Sequence, residues 1–255
     1  MKLGLALSGG GIRGIAHAGV LKALEDNNIK IDVIGGTSAG GIIAALYAMG
    51  YSPYYIYVLF KRYAKKITGN KIETIFNQIA ENKGIKKIKD IKMPIAIPTV
   101  DISDTNKYIF TNKIPKKNND NYIEDISIGK AIRATSCFPG VFSPVTYKGH
   151  MFLDGGILDN VPVEEVKKQG ANKVIAVNFA ADKIDEKSKM MDIIMRTIDC
   201  MGNKISENNI KSSDFLLTVP TDKTGLLDVR KLDSCYEYGY KAVVDNLSEI
   251  KNILH

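Results

Sequence analysis

Two glycine-rich stretches and one aspartate carry the residue types that chemistry requires. The first stretch, ALSGGGIRGIAHAGVLKAL from Ala6 to Leu24, sets Gly9, Gly10, Gly11 and Gly14 around Arg13, between an apolar run and a helical pattern. Consecutive glycines let backbone N–H groups come close to an anion, either a nucleotide phosphate or the oxyanion of a reaction. Gly9 to Gly14 fit G-x-G-x-x-G, the dinucleotide fingerprint. That fingerprint also needs an acidic residue at the end of the second strand, to hold a ribose hydroxyl. Gly35 and Gly36 stand there instead. A P-loop fails too, because Ile15-Ala16 follow Gly14 where Lys and Ser/Thr are required.

The end of that second strand carries Gly36-Thr37-Ser38-Ala39-Gly40, a G-x-S-x-G sequence between a predicted strand and a predicted helix. A serine turning sharply out of a strand takes a positive φ, and its neighbours two positions away must be tiny. Gly36 and Gly40 meet that condition. The helix that follows directs its positive end at Ser38. With both loops at the carboxyl ends of parallel strands, the Gly9–Gly11 amides face a carbonyl oxygen attacked by Ser38. They are expected to hold an oxyanion, each donor being worth about 2.7–4 kcal/mol of barrier.

A serine nucleophile needs a proton acceptor. His17 lies in the helix after the glycine loop, where packing or a helix-terminal hydrogen bond is its expected role. His150 follows the turn-like Lys148-Gly149, and His255 is the last residue. None of the three sits in a loop after a strand, as a triad base does. Asp154 does, ending the strand in MFLDGG, with Gly155 and Gly156 leaving room for close approach of substrate or backbone. A simple tight turn has the same sequence.

Taken in order, GGGIRG at Gly9–Gly14, GTSAG at Gly36–Gly40 and DGG at Asp154–Gly156 resemble the motifs of patatin-like phospholipases. RATSCFPGVFSPV, Arg133 to Val145, resembles the segment preceding the aspartate in that family. The resemblance spans Lys2 to Phe179, within one domain expected to cover residues 1–255. It implies a Ser–Asp dyad without histidine, Ser38 being the nucleophile and Asp154 the proton acceptor. Gly9, Gly10, Gly11 and Arg13 match the family's oxyanion loop, and Gly14, Gly36, Gly40, Gly155 and Gly156 its motif glycines. No metal or cofactor is implied, so activity is expected to be independent of calcium. An ordinary aspartate, with a pKa near 3.9, is a weak base at neutral pH. Partial desolvation has to raise it.

Strands and helices alternate from the start, as positioning these residues demands. Lys2–Leu7 and Ile31–Ile34 read as strands, Ile15–Asp26 and Gly40–Met49 as helices, and Ser52-Pro53 as the start of another helix. Further on, Lys92–Val100, Lys107–Thr111, His150–Leu153, Lys173–Phe179 and Phe215–Val219 read as strands. Ile126–Ser136, Pro162–Gln169, Glu186–Asn208 and a segment from Ser234 read as helices. The pattern predicts an α/β fold, three layers α/β/α around a central, mainly parallel sheet.

Composition narrows the partners. The 255 residues are 45% hydrophobic and 25% charged, enough for one sizeable core, with a net charge of +7. Lysines are scattered, which favours a solvated basic surface over a nucleic-acid site. Cys137, Cys200 and Cys235 are odd in number and far apart, and the histidines never pair closely, so neither a disulfide framework nor a zinc site is expected. No apolar run has the length of a signal-peptide core or a membrane span, which predicts a cytoplasmic protein.

The stretch from Tyr51 to Ile67 sets Ile56, Leu59, Phe60 and Tyr63 beside Lys61, Arg62, Lys65 and Lys66. A buried stripe with a solvated basic end is favoured. The alternative is peripheral contact with an anionic membrane surface, aided by the basic run from Lys83 to Pro94. The expected substrate is a lipid ester, of phospholipid or lysophospholipid. The rivals are a general carboxylesterase or thioesterase on soluble acyl groups, and a noncatalytic nucleotide- or lipid-binding module. Head-group and chain-length preference is assigned to loops such as Ile114–Tyr122.

Overall fold

The computed structural model describes residues 1–63, 71–117, 120–180, 190–221 and 229–254. In chain order, the first elements are β1 (Leu3–Leu7), α1 (Ala16–Asp26), β2 (Val33–Gly36), α2 (Ala39–Ala48), α3 (Pro53–Tyr63) and α4 (Lys71–Glu81). The middle holds β3 (Ile95–Asp101), β4 (Asn106–Thr111), β5 (Tyr122–Ile123), α5 (Ile128–Thr135), β6 (Val145–Tyr147) and β7 (His150–Asp154). The last part holds α6 (Val163–Lys168), β8 (Lys173–Phe179), α7 (Met190–Ile205), α8 (Glu207–Lys211), β9 (Phe215–Val219), α9 (Leu232–Asp245) and α10 (Leu247–Asn252).

The sheet runs β5-β4-β3-β2-β1-β8-β9. β3, β2, β1, β8 and β9 are mutually parallel along this path, whereas β3 meets β4 and β7 antiparallel. The sheet is therefore mixed, with a parallel centre. Side chains alternate between its faces. Leu5, Leu7, Ile34, Ile175 and Val177 join the larger core with α1, α2 and α9. Ala6, Val33, Val174 and Ala176 face a thinner layer built on Val163 and Val166 of α6. These are the three expected layers.

One detail of register creates the site. β4 runs along one edge of β3 from Ala96 to Asp101. The other edge is divided. β2 pairs with Ile95 and Ala96, and β7 with Thr99, Val100 and Asp101. β2 is parallel to β3 and β7 antiparallel, so their carboxyl ends meet head to head beside Ile97 and Pro98. Ile109, opposite Pro98, donates its N–H to the Asn121 carbonyl, away from β3. Pro98 thus turns its backbone to the divided edge, where the ladder is interrupted and a missing N–H costs nothing.

Several boundaries differ from the sequence reading. β2 begins at Val33 rather than Ile31 and extends through Gly36, because its register on β1 pairs Gly35 and Gly36 with Ala6 and Leu7. A 3-10 turn over Gly11–Ile15 precedes α1. The strand expected from Lys92 starts at Ile95, and the helix expected from Ile126 starts at Ile128, capped by Ser127 accepting the Lys130 N–H. The expected helix Glu186–Asn208 is α7 followed by α8; residues 186–189 lie outside the described ones. α3 buries Ile56, Leu59 and Phe60 of the expected stripe and leaves Tyr63 half-buried, and Lys61 pairs with Asp233 at 2.8 Å. Lys65, Lys66 and Ile67 lie outside the described residues, as does His255. Among the described residues, Cys137, Cys200 and Cys235 form no disulfide. Among the described residues, no helix is long and apolar enough to cross a membrane.

Candidate active site

Ser38 stands between β2 and α2 with φ 54° and ψ −123°, a strained conformation for a residue with a side chain. Its neighbours permit that turn. Gly36 lies against the Gly40 carbonyl, and a Cβ on Gly40 would come within 2.5 Å of the Leu7 oxygen and 2.6 Å of the Ser8 oxygen. Those oxygens belong to β1 and the residue that follows it, and cannot swing aside. Gly40→Ala is therefore expected to destabilise the fold by about 1–3 kcal/mol. A lower denaturation midpoint with an unchanged slope would show it; an unchanged midpoint would mean that the elbow has slack.

The backbone of Ser38 is anchored from another element. Its N–H donates to Thr135 Oγ1 at 3.0 Å, at the end of α5. Next to it, Thr37 Oγ1 donates to the Asp159 carbonyl at 2.7 Å. Ser38 itself stays half-buried and lines a cleft.

Asp154 ends β7 at the break in the β3 edge and is 3% exposed. Its Oδ1 accepts the Gly156 N–H at 2.8 Å. Burial pushes its carboxyl up to about 7, against the pull of the Gly156 N–H and the Ser38 side chain, which favour the charged form, and the nearby Asp199 adds to the rise. Oδ2 has no hydrogen bond of full geometry. Catalytic hydrogen bonds are commonly long before substrate binds and tighten in the Michaelis complex.

The glycine loop divides its work. The Gly9 N–H is occupied by Asn160, through the carbonyl at 3.3 Å and Oδ1 at 3.1 Å. Gly10 and Gly11 keep N–H groups with no acceptor among the described residues. Arg13, 2% exposed, donates to the Gly10 carbonyl from its backbone N at 3.2 Å and from Nε at 3.3 Å. A trans peptide sets N–H opposite C=O. With its carbonyl held by Arg13, the Gly10–Gly11 peptide presents the Gly11 N–H on the other side, to the cleft. Arg13 is steadied in turn by Asp199 at 3.4 Å and by the Phe179 ring, 5.4 Å from its guanidinium carbon. Gly14 packs against Ala39, bringing the loop onto the start of α2, and Gly155 lies against the Pro98 carbonyl.

The cleft encloses about 1050 Å³ of space open to solvent. Ser38, Asp154, Gly10 and Gly11 line one part of it, and Ile12, Ile42, Phe60, Ile72, Phe138, Phe142, Ile157 and Ile198 supply its apolar walls. Among the described residues, no histidine lines it. His17 is buried and donates from Nε2 to the Ser8 carbonyl at 2.8 Å; burial lowers its pKa to about 4, so it stays neutral. His150 lies at the opposite end of β7, 2.6 Å from Asp101.

Asp101, Asp104 and His150 are close enough to share a metal ion among the described residues. Their oxygens, however, already accept the Ser103, Met151 and Asn106 N–H groups and the Tyr108 hydroxyl. Of the Ile114–Tyr122 loop, Asp120–Tyr122 line a different cleft with Lys107 and Glu165, and none of its described residues lines the Ser38 cleft.

Thr135, Asn160 and Asp199 escaped the reading of the sequence as site residues. Thr135 lies inside Arg133–Val145 and Asn160 six residues after Asp154, so their positions beside recognised motifs were the available signal. Asp199 had none, because only the packing of α7 on the DGG turn, through Gly202 against the Gly156 carbonyl, brings it near.

Known proteins resemble this chain in sequence and in fold. A family profile for patatin-like phospholipase covers residues 5–167. The chain is 32% identical to lysophospholipase NTE1 of Meyerozyma guilliermondii across 93% of its own length, and 30% identical to that of Candida albicans across 98%. It spans 19% and 20% of those two relatives. Among solved structures, VipD of Legionella pneumophila aligns with a TM-score of 0.57 and 14% identity, over 97% of this chain and 67% of that one. The ExoU–SpcU complex of Pseudomonas aeruginosa gives 0.55 and 17%, over 98% and 51%. At such identities the two structures speak for the fold, and the profile for the family. On the match over residues 5–167, then, this chain belongs to the patatin-like phospholipase family.

Proposed function

We propose that the protein hydrolyses carboxylic ester bonds of phospholipids or lysophospholipids through a Ser38–Asp154 dyad and an acyl-serine intermediate. The observation that carries this reading is the meeting of Ser38, a buried carboxyl with its pKa near 7 and two unoccupied N–H groups at one end of an apolar cleft. An acyl chain lies along the apolar walls, with its ester carbonyl beside Ser38. Ser38 Oγ attacks the carbonyl carbon as Asp154 takes its proton. The tetrahedral oxyanion is held by the Gly10 and Gly11 N–H groups, beside the positive end of α2. Collapse breaks the ester C–O bond, and Asp154 returns the proton to the departing alcohol. Water then attacks the acyl-serine with Asp154 again as base, releasing the fatty acid and restoring Ser38.

Names of the relatives support the substrate class: both NTE1 proteins are lysophospholipases. Delivery from a lipid surface fits Tyr54, Tyr55 and Val58, exposed on α3, the helix whose Phe60 lines the cleft. The test compares fatty-acid release from lysophosphatidylcholine and phosphatidylcholine vesicles with hydrolysis of a short-chain nitrophenyl ester. Higher kcat/KM on the long-chain lipids is expected, because each buried methylene contributes about 0.8 kcal/mol. A preference for the short soluble ester would overturn the lipid assignment while leaving the dyad standing.

A further inference from the structure

The elbow and the base belong to different strands, and one short segment touches the backbone of both. Thr135 closes α5 and is fully buried. Its Oγ1 accepts the Ser38 N–H at 3.0 Å and donates to the Pro98 carbonyl at 2.6 Å. Two residues on, the Cys137 carbonyl accepts the Asp154 N–H at 3.0 Å. Pro98 sits at the break between β2 and β7, and its carbonyl also abuts Gly155. The chain from Thr135 to Cys137 therefore spans the break like a caliper, one jaw on the nucleophile and the other on the base.

We propose that Thr135 is a positioning residue that sets the separation and orientation of Ser38 relative to Asp154. This rests on the dyad reading given above. A positive φ on a residue with a side chain persists only where its surroundings over-determine it. Here the Thr135 hydroxyl is the group that holds the Ser38 N–H. A hydroxyl is needed because one atom must accept from Ser38 and donate to Pro98 at the same time. Valine keeps the shape and does neither. The same bond engages the Ser38 N–H, so that group takes no part in holding the oxyanion, which falls to Gly10 and Gly11.

The experiment uses the full chain with Thr135→Val, Thr135→Ala and Thr135→Ser, measuring kcat and KM on lysophosphatidylcholine, the rate of fluorophosphonate labelling and the pH profile. Misplacement on the ångström scale costs on the order of 10²-fold, so Val and Ala are expected to lower kcat and the labelling rate by about that factor. KM should change by less than about twofold, because the acyl walls are untouched. The midpoint of the pH profile should rise in both, since the Ser38 side chain no longer steadies the charged carboxyl. Serine restores the hydroxyl and should bring kcat back to within about threefold of wild type.

Should Val fail to fold, the Ala and Ser pair decides, as both are smaller than threonine and differ from each other in the hydroxyl alone. Wild-type kcat in the Ala variant, or a Ser variant as slow as Ala, overturns the proposal. A wild-type protein that neither labels nor turns over removes the dyad reading, and this inference falls with it.

Discussion

Ser38→Ala is expected to lose fluorophosphonate labelling altogether and to lower ester turnover by about 10⁶-fold, the scale of loss when a serine hydrolase loses its nucleophile. The size follows from chemistry rather than from disruption. Alanine keeps the Cβ of residue 38 and its φ of 54°, so the elbow, the Thr135 contact and the cleft walls all remain. What disappears is the oxygen proposed to form the acyl bond. The oxyanion donors survive, and a variant that still binds lipid without cleaving it is the expected product. Circular dichroism and the melting temperature should match wild type. Labelling that persists in the variant would place the reactive group elsewhere and end the elbow assignment. A wild-type protein that never labels would favour a binding module built on the same fold.

Asp154→Asn is the second large effect, and it runs in opposite directions for activity and stability. Asparagine cannot take the Ser38 proton, so kcat is expected to fall by about 10³–10⁴-fold. On the proposed dyad, wild-type activity needs the carboxylate. The rate should therefore climb with pH, pass half-maximum near 7 and level off above it.

Stability follows the same carboxyl with the reverse sign. Its native pKa is raised from 3.8 to about 7, so between those values the folded state binds a proton that the unfolded state has released. Stability accordingly falls as pH rises through that window, by about 4 kcal/mol in all. Replacing the carboxyl by a neutral amide removes the penalty. The Asp154→Asn variant should melt several degrees above wild type at pH 8, and the gap should shrink below pH 7 and vanish near pH 4. A variant less stable than wild type at pH 8 would mean that Asp154 is held charged and well solvated. The low-pKa base would then have to be explained by other means.

The parallel core of the fold was legible in the sequence because its strands are short apolar runs bounded by glycines or polar residues. LGLAL and KVIAVNF become β1 and β8, and the periodic segments after them become helices. The two glycine motifs sit where such strands end, so their meeting needed nothing beyond parallel order. The antiparallel half was less legible. Nothing local in HMFLD says that it pairs with β3 on the edge that β2 vacates; that depends on where β2 stops and on Pro98.

The oxyanion loop shows a finer limit. Three adjacent glycines offer three N–H groups, and the sequence does not reveal that Asn160 takes the first of them. Likewise Thr135 looks like an ordinary helix-terminal residue. Its role arises from a contact across the fold, as does that of Asp199 on α7.

The divided edge of β3 bears on how the chain acquires its activity. The bond from Ser38 to Thr135 joins residues 97 apart in sequence, and that from Gly9 to Asn160 joins residues 151 apart. Contacts of such long range form only after the loop-closure entropy of the intervening chain has been overcome, late on the folding path. A chain with β1, α1, β2 and α2 in place already holds the proposed nucleophile, but neither the Thr135 contact, nor the proposed base, nor the Asn160 hold on the glycine loop. On the proposed dyad, reactive serine chemistry is thereby expected to be withheld from partly folded chains until β7 and the segment after it have docked.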